Sequence, residues 1–452
     1  MKAMFLLVPA QGHINGSAHF SELLRIKGWS LHFLVAEAER FSVSTTISSI
    51  RFNEKSFIKQ QTIHAPTKKK SRTWVSNLFN WLSHSNLLAM KRELDSLDGI
   101  LKEYTPDLFF VDSFYSYVYF LFPDFQHKII LINTQFNGYR DERVPPINST
   151  LHPNVEGFNF KNKLLWNILN LDKTIYPYLT FGQDPWSVAK QIARGKGYDL
   201  SKAIWKNKCF HPGINGVPEL IAGYQSLDLP RTHYRVPQYY LATQIDPNRK
   251  MNFIDSQIYN DLISLKKNTS KKMLYCSLGT LADVHNSKAS IRFFSILIEL
   301  LKLHPEWHLV LSLQGFTKDQ LPSPGSNVSI YKNVPQVQIL PLFDAMITHA
   351  GPNTLVECIY AEVPMVAFPL NSHWDQNGNA ARIVYHQLGR AGNIGNVKME
   401  ELEVLILDVL EKPNFKENVK KMKQNFIAEY NPEKIIDFIL QYSNSPKSLA
   451  TL

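Results

Sequence analysis

The sequence holds 452 residues, 44% of them hydrophobic and 19% charged, which excludes wholesale disorder and gives enough chain for two or three compact domains. Lysine and arginine number 49 against 39 aspartates and glutamates, and the formal net charge of +10 favours anionic partners: nucleic acid, a phosphate-bearing ligand or an acidic membrane face. The three cysteines, Cys209, Cys276 and Cys358, form no Cys-x-x-Cys pair, which excludes a disulfide framework and a structural zinc site and points to a reducing compartment.

Ala3–Pro9 is a continuous apolar run that reads as a buried strand, followed by a turn over Ala10–His13 and an amphipathic stretch through Leu23, Leu24 and Ile26. Gly28 then precedes a second apolar strand, Trp29–Val35. The start lacks a small-residue cleavage site, and no apolar run reaches the roughly 18 to 20 residues of a membrane span, so a soluble, cytoplasmic protein is expected. Leu108–Val111 reads as another buried strand with Asp112 at its carboxyl end. The alternation returns with Lys272–Ser277, a helical stretch Ile291–Leu303, then Trp307–Leu313, Val328–Tyr331, Ala345–Thr348 and Val363–Pro369. Short apolar strands alternating with helices imply α/β architecture with two parallel sheets, each covered on both faces. Pro230, Pro237 and Pro247 interrupt the polar stretch between the two regions, where we expect the domain boundary: residues 1–235, then 236–425. Beyond Pro432, Ile435, Ile436, Phe438, Ile439 and Leu440 predict a terminal helix that must pack on something.

Ligands of open α/β sheets bind beyond the carboxyl ends of strands, so function is sought there. No Gly-x-Gly-x-x-Gly follows a first strand and no Walker-type loop occurs, so a nicotinamide dinucleotide fold and a P-loop NTPase both lose their phosphate devices. The strand Ala345–Thr348 instead delivers His349, Gly351 and Pro352 into a helix opening at Asn353 and Thr354. Free N–H groups at a helix start, a close-approach glycine and side-chain donors make an anion site suited to a pyrophosphate. Glu357, four residues after Asn353, shares its helix face and can accept from two ribose hydroxyls. The alternative is a capped helix with a satisfied histidine.

This segment resembles the nucleotide-binding signature of family 1 UDP-glycosyltransferases. Pro335 and Gln336; His349, Gly351, Asn353, Thr354 and Glu357; Pro364, Met365 and Pro369; and Asp375 and Gln376 stand in the family's order, with spacing like its bacterial branch of macrolide and zeaxanthin glucosyltransferases. Ser277, Leu278, Gly279 and Thr280 resemble its second phosphate-side loop. The resemblance implies a GT-B fold of two Rossmann-like domains facing a cleft, with residues 426–452 crossing back to the first. It also implies Gln336 near the base edge, His349, Asn353 and Thr354 on phosphates with Ser277, Thr280 and Gly351 beside them, Glu357 on ribose, and Asp375 and Gln376 on sugar hydroxyls. Two positions depart from it. Asn333 stands where the family has the tryptophan that stacks on the base, Tyr331 and Trp374 read as core or surface aromatics or, alternatively, as a substitute plane, and the loop before Asp375 is longer by about two residues.

In the first half, Gln11, Gly12 and His13 follow the first strand. A neutral imidazole there removes a proton from an acceptor hydroxyl, and an ionised carboxylate behind it fixes its tautomer; Asp112 is the expected partner. The resemblance agrees, although Gly16 stands where the family has proline. The expected function is an inverting glycosyltransferase moving a hexose from UDP-glucose or a related nucleotide sugar to a lipophilic hydroxylated acceptor, without cofactor. No Asp-x-Asp occurs, and no metal is expected. A nucleotide-sugar epimerase of the same fold and a non-catalytic nucleotide-sugar-binding partner subunit are the rival readings. Between Arg51 and Arg92 nine basic residues face the single Glu54, interleaved with Trp74, Phe79 and Trp81. That mixture suits peripheral contact with an anionic membrane, beside the alternatives of a solvated loop or an acceptor-pocket wall; no nucleic-acid module accompanies it.

Overall fold

The computed structural model describes residues 1–8, 11–36, 48–52, 85–242, 245, 251–280 and 282–444. Of the basic and aromatic stretch, residues 53–84 therefore lie outside the described residues. The first half runs β1 (Lys2–Leu6), α1 (Gln11–Ile26), β2 (Ser30–Ala36), β3 (Ser48–Phe52), α2 (Ser85–Tyr104), β4 (Leu108–Asp112), β5 (Ile129–Asn133), α3 (Phe158–Leu179), α4 (Pro185–Gly195), β6 (Ala203–Ile204), β7 (Gly213–Ile214), β8 (Glu219–Ile221) and β9 (Gln238–Tyr240). The second half runs α5 (Phe253–Lys267), β10 (Lys272–Ser277), α6 (Ala282–Leu303), β11 (Trp307–Ser312), β12 (Val328–Tyr331), α7 (Gln336–Ile339), β13 (Ala345–Thr348), α8 (Pro352–Tyr360), β14 (Met365–Ala367), α9 (Gln376–Tyr385) and β15 (Gly389–Ala391). Three helices close the chain: α10 (Met399–Glu411), α11 (Pro413–Glu429) and α12 (Pro432–Asn444).

Seven strands form one parallel sheet in the order β3-β2-β1-β4-β5-β8-β9, and six form the other in the order β12-β11-β10-β13-β14-β15. Side chains of a strand alternate between faces, and β1 divides its residues accordingly. Ala3 and Phe5 pack with Phe20 and Leu24 of α1, whereas Met4 and Leu6 pack with Met90, Leu97 and Leu101 of α2. Phe5 stacks between Phe33 and Phe110 at centroid distances of 4.7 and 4.9 Å. Both faces of the sheet are dry, which is why these strands read as unbroken apolar runs.

The first sheet continues past the expected boundary at residue 235. Gln238–Tyr240 adds a parallel edge strand beside β8, and Pro237 immediately precedes it, where a missing N–H costs no ladder bond. Helix α1 begins at Gln11, so His13 sits in its first turn and not in a preceding turn; the apolar face formed by Phe20, Leu23 and Leu24 drives the helix, and neither Gly12 nor Gly16 stops it. Likewise α6 starts at Ala282, nine residues before the expected Ile291, with a kink at Asn286. The C-terminal helices divide their packing. Val419, Met422 and Phe426 of α11 join the core of the second half, while Ile435, Ile436 and Ile439 of α12 join the α1 face of the first sheet. Lys27 pairs with Glu433 at 2.7 Å on the same seam. No helix among the described residues is long and apolar enough to cross a membrane.

Candidate active site

Both sheets change the direction of their strand order beside their first strand, between β1 and β4 and between β10 and β13. At such a switch point neighbouring connections leave to opposite faces, and a crevice opens at the strand ends. In the first half the crevice receives His13 from α1 and Asp112 from the end of β4. His13 Nδ1 lies 2.7 Å from Asp112 Oδ2 and 2.9 Å from Thr134 Oγ1, at the end of β5. The Asp112 side chain is fully buried, its Oδ1 accepting from the Phe114 N–H at 3.0 Å. A proton on Nδ1, directed at the carboxylate, leaves the lone pair on Nε2. Burial opposes the charged imidazolium, but the charge and hydrogen bond of Asp112, with a smaller contribution from Asp375, outweigh it and raise the His13 pKa above 6.5.

In the second half Ser277 ends β10, and Thr280 lies exposed in the turn after it. His349 follows β13. Its imidazole is wedged between two glycines: a Cβ on Gly279 would approach within 2.5 Å of the ring, and one on Gly351 within 2.7 Å. Gly279 also holds φ +83°, open to glycine at little cost, so the Ser277–Thr280 loop and the histidine motif are one interlocked unit. Gly351 caps α8 and Pro352 occupies its first turn, where the first N–H groups of a helix have no intrahelical acceptor. Asn353 Nδ2 donates to the Gly12 carbonyl at 3.2 Å and so ties α8 to the turn that carries His13.

Gln336 opens α7 and meets Glu357: its Nε2 donates to Glu357 Oε2 at 2.5 Å and reaches Thr354 Oγ1 at 3.5 Å, while Tyr275 donates to its Oε1 at 3.0 Å. Three expected nucleotide-site residues thus share one network. Asp375 is buried and accepts from Asn379 at 3.2 Å; burial raises its pKa, partly offset by that bond and by His13 and Arg382. Gln376 Oε1 accepts from the Leu370 and Asn371 N–H groups at 2.7 and 3.1 Å, so its amide oxygen shapes the loop before Asp375.

Several residues at this site escape a reading of local pattern. Thr134 is the second partner of His13. Phe114 meets the His13 ring edge-on at 4.9 Å and lies 3.9 Å from the His211 ring. Trp374 packs at 5.7 Å against both Phe114 and Phe210, so it joins the first-half aromatics. Tyr331 packs, partly buried, on the apolar core. Helix α9 is seated on the first half: a Cβ on Gly378 would meet the Ile147 carbonyl at 2.1 Å, Asn377 donates to the Asn148 carbonyl at 3.1 Å, and Arg382 pairs with Asp228 while lying 4.2 Å over Phe136. The only sequence signal for Thr134 is its place after the apolar run Ile129–Ile132; the others depend on contacts between distant segments.

Residues 273–439 match the family model described as UDP-glucoronosyl and UDP-glucosyl transferase. The chain is 35% identical to human UDP-glucuronosyltransferase 2B15 over 115 residues, covering 25% of this chain and 21% of that protein. It is 28% identical to the uncharacterized UDP-glucosyltransferase YojK of Bacillus subtilis (strain 168) over 178 residues, 38% of this chain and 41% of that one. The chain thus spans less than half the length of these curated relatives. Among solved structures, the glycosyltransferase of kitacinnamycin superposes with a TM-score of 0.64 at 16% identity, covering 98% of each chain. The glycosyltransferase VinC in complex with DTDP gives 0.62 at 12% identity, covering 98% of this chain and 99% of that one. The fold is GT-B along nearly the whole chain.

Proposed function

We propose that the chain, whose residues 273–439 match the UDP-glucosyl transferase family model, is a family 1 UDP-glycosyltransferase that carries out an inverting, metal-independent transfer of a hexose from UDP-glucose, or a closely related nucleotide sugar, to a hydroxyl of a lipophilic acceptor. The observation that carries this reading is the His13–Asp112 pair set beside the start of α8, with Asn353 bonded to Gly12 between them.

The diphosphate binds at the start of α8, where backbone N–H groups, Asn353 and Thr354 meet its charge beside the Gly279–His349–Gly351 unit. Glu357, positioned by Gln336, takes the ribose hydroxyls, and Asp375 takes sugar hydroxyls from a loop that Gln376 shapes. His13 Nε2 accepts the proton of the acceptor hydroxyl as its oxygen bonds to the anomeric carbon. The bond from that carbon to the diphosphate breaks on the opposite face, inverting the configuration and releasing UDP. Asp112 stabilises the imidazolium, and the α8 terminus stabilises the charge that grows on the leaving oxygen.

Incubation with UDP-glucose and a panel of hydroxylated small molecules, followed by product analysis, tests the proposal. Formation of a β-configured glucoside together with UDP is the expected result. An epimerised donor would identify an epimerase, and an unchanged donor with every acceptor would identify a binding subunit.

A further inference from the structure

We propose that the chain pairs with a second copy of itself, two α3 helices lying antiparallel across a two-fold axis that passes between Leu169 and Asn170. The pairing is independent of the reaction proposed above, and no residue of the candidate active site lies on α3.

The polarity of α3 is reversed. A surface helix ordinarily turns its apolar stripe to the core and its polar side to water. Here the side held against the protein is anchored by polar groups of Asn162, Trp166, Asn170 and Lys173. Asn162 donates to the Asp141 and Glu142 carbonyls at 3.2 and 2.8 Å, and the Trp166 indole N–H donates to the Val144 carbonyl at 2.9 Å. Asn170 donates to Asn207 Oδ1 and accepts from the Asn207 N–H, both at 2.8 Å, and buried Lys173 donates to the Trp205 carbonyl at 3.1 Å. At roughly 100° per residue the opposite side carries Phe160, Leu164, Ile168, Leu171, Ile175 and Leu179, each between 43 and 74% exposed. With Tyr176 and Tyr178 this stripe presents on the order of 700 Å² a copy. That exceeds the ~300–600 Å² of the largest patch on a typical monomer and approaches the ~800 Å² per partner of a standard interface.

The spacing of the stripe identifies its occupant. Counted outward from the point between Leu169 and Asn170, the six positions fall in mirror pairs: Ile168 with Leu171, Leu164 with Ile175, and Phe160 with Leu179. In an isologous contact residue i of one copy meets residue j of the other and j meets i, so a stripe that reads alike from both ends is matched along its length by itself. From Leu164 through Ile168, Leu171 and Ile175 to Tyr178 the steps alternate four and three residues, the a and d spacing of paired helices. Pro177 falls in the last turn, so only the outermost pair lies beyond it.

Charge fixes the direction. The exposed charged residues of α3 are Lys161, Lys163 and Asp172. The antiparallel register sets Lys161 opposite Tyr178, Lys163 opposite Tyr176 and Asp172 opposite Asn167 of the other copy, so no charge meets its like and each lysine meets a tyrosine. A parallel pair would set each lysine against its twin and Asp172 against Asp172.

Sedimentation velocity of the full chain at roughly 10 µM, without lipid, tests the pairing. A species of twice 52.0 kDa is expected. Ile168→Glu and Leu171→Glu each bring two carboxylates to the axis and are expected to raise the dissociation constant roughly 100-fold or more, whereas Val404→Glu, at another exposed apolar residue, leaves it unchanged. Unaltered circular dichroism identifies the variants as folded. Disulfide capture reads the direction, the three native cysteines being buried. Leu164→Cys mixed with Ile175→Cys is expected to form the mixed cross-linked dimer. Neither variant alone is expected to cross-link, because its two copies of the new thiol lie roughly 16 Å apart along the helices. A monomeric wild type, a dimer that persists in both glutamate variants, or capture by Leu164→Cys alone overturns the proposal. A wild type that is monomeric in solution and pellets with neutral vesicles through these same residues assigns the stripe to lipid and overturns it as well.

Discussion

His13 and Asp112, 99 positions apart in the chain, meet at 2.7 Å because β1 and β4 are hydrogen-bonded neighbours at the point where the strand order reverses. The Ala3–Leu108 to Leu6–Val111 register brings the two strand ends level, and the carboxylate behind the imidazole is sealed from water.

Replacing His13 with alanine is expected to lower turnover by roughly 10² to 10⁴ while leaving UDP affinity unchanged, since the base acts on the acceptor. Steady-state kinetics with parallel calorimetry checks both halves of the statement. Unaltered turnover would remove His13 from the mechanism.

The pH dependence follows from the raised pKa of His13. Only the neutral imidazole accepts a proton, so kcat/KM is expected to fall as pH drops through an apparent pKa above 6.5. Asp112→Asn removes the charge that holds this value up and is expected to move the acidic limb to lower pH as well as reduce the plateau. A limb that stays in place would mean another group governs the profile.

At the proposed nucleotide site, Gly279→Ala and Gly351→Ala each drive a methyl group into the His349 imidazole. Both are expected to weaken UDP binding at least tenfold, with Gly279→Ala also losing thermal stability because of its positive φ. Alanine at His349 or Glu357 is expected to cost more UDP affinity than alanine at Asn333, which cannot stack on a base as an indole does. A calorimetric ranking with Asn333 first would contradict the assignment.

The joint between the halves has its own pH signature. Burial alone would raise the Asp228 pKa, but the charges of Arg382 and Arg231 and the Tyr240 hydroxyl hold it below its usual 3.8. A carboxylate depressed on folding stabilises the native state above its unfolded value, and that contribution is lost as pH falls through the folded value. Arg382→Ala leaves Asp228 buried beside one cation fewer and is expected to cost roughly 3–5 kcal/mol, with acid unfolding moved to higher pH. Urea titrations at neutral pH and near pH 4 measure both effects.

Attachment to an anionic membrane, proposed from the basic and aromatic stretch Arg51–Arg92, is checked by co-sedimentation with anionic and neutral vesicles. Pelleting with the anionic vesicles alone, lost when Lys68, Lys69 and Lys70 become glutamate, is the expected result. Wild type remaining in the supernatant with both would assign that charge elsewhere.

The alternation of buried strands with helices was legible from the sequence, because a strand covered on both faces is a run of apolar residues wherever it occurs. So was the local geometry of the α8 motif: His349, Gly351, Asn353, Thr354 and Glu357 lie within one strand-to-helix connection, and their spacing alone sets their relative positions. The edge strand Gln238–Tyr240 was not legible, since three residues after a proline acquire strand character only from the partner beside them. Nor were Thr134, His211, Trp374 and Arg382, whose surroundings are assembled from segments up to hundreds of residues apart. Local pattern specifies which face of an element is apolar, but the partner of a polar side chain is chosen by strand order, by the seating of α9 on the first half and by burial, and those arise only when the whole chain packs.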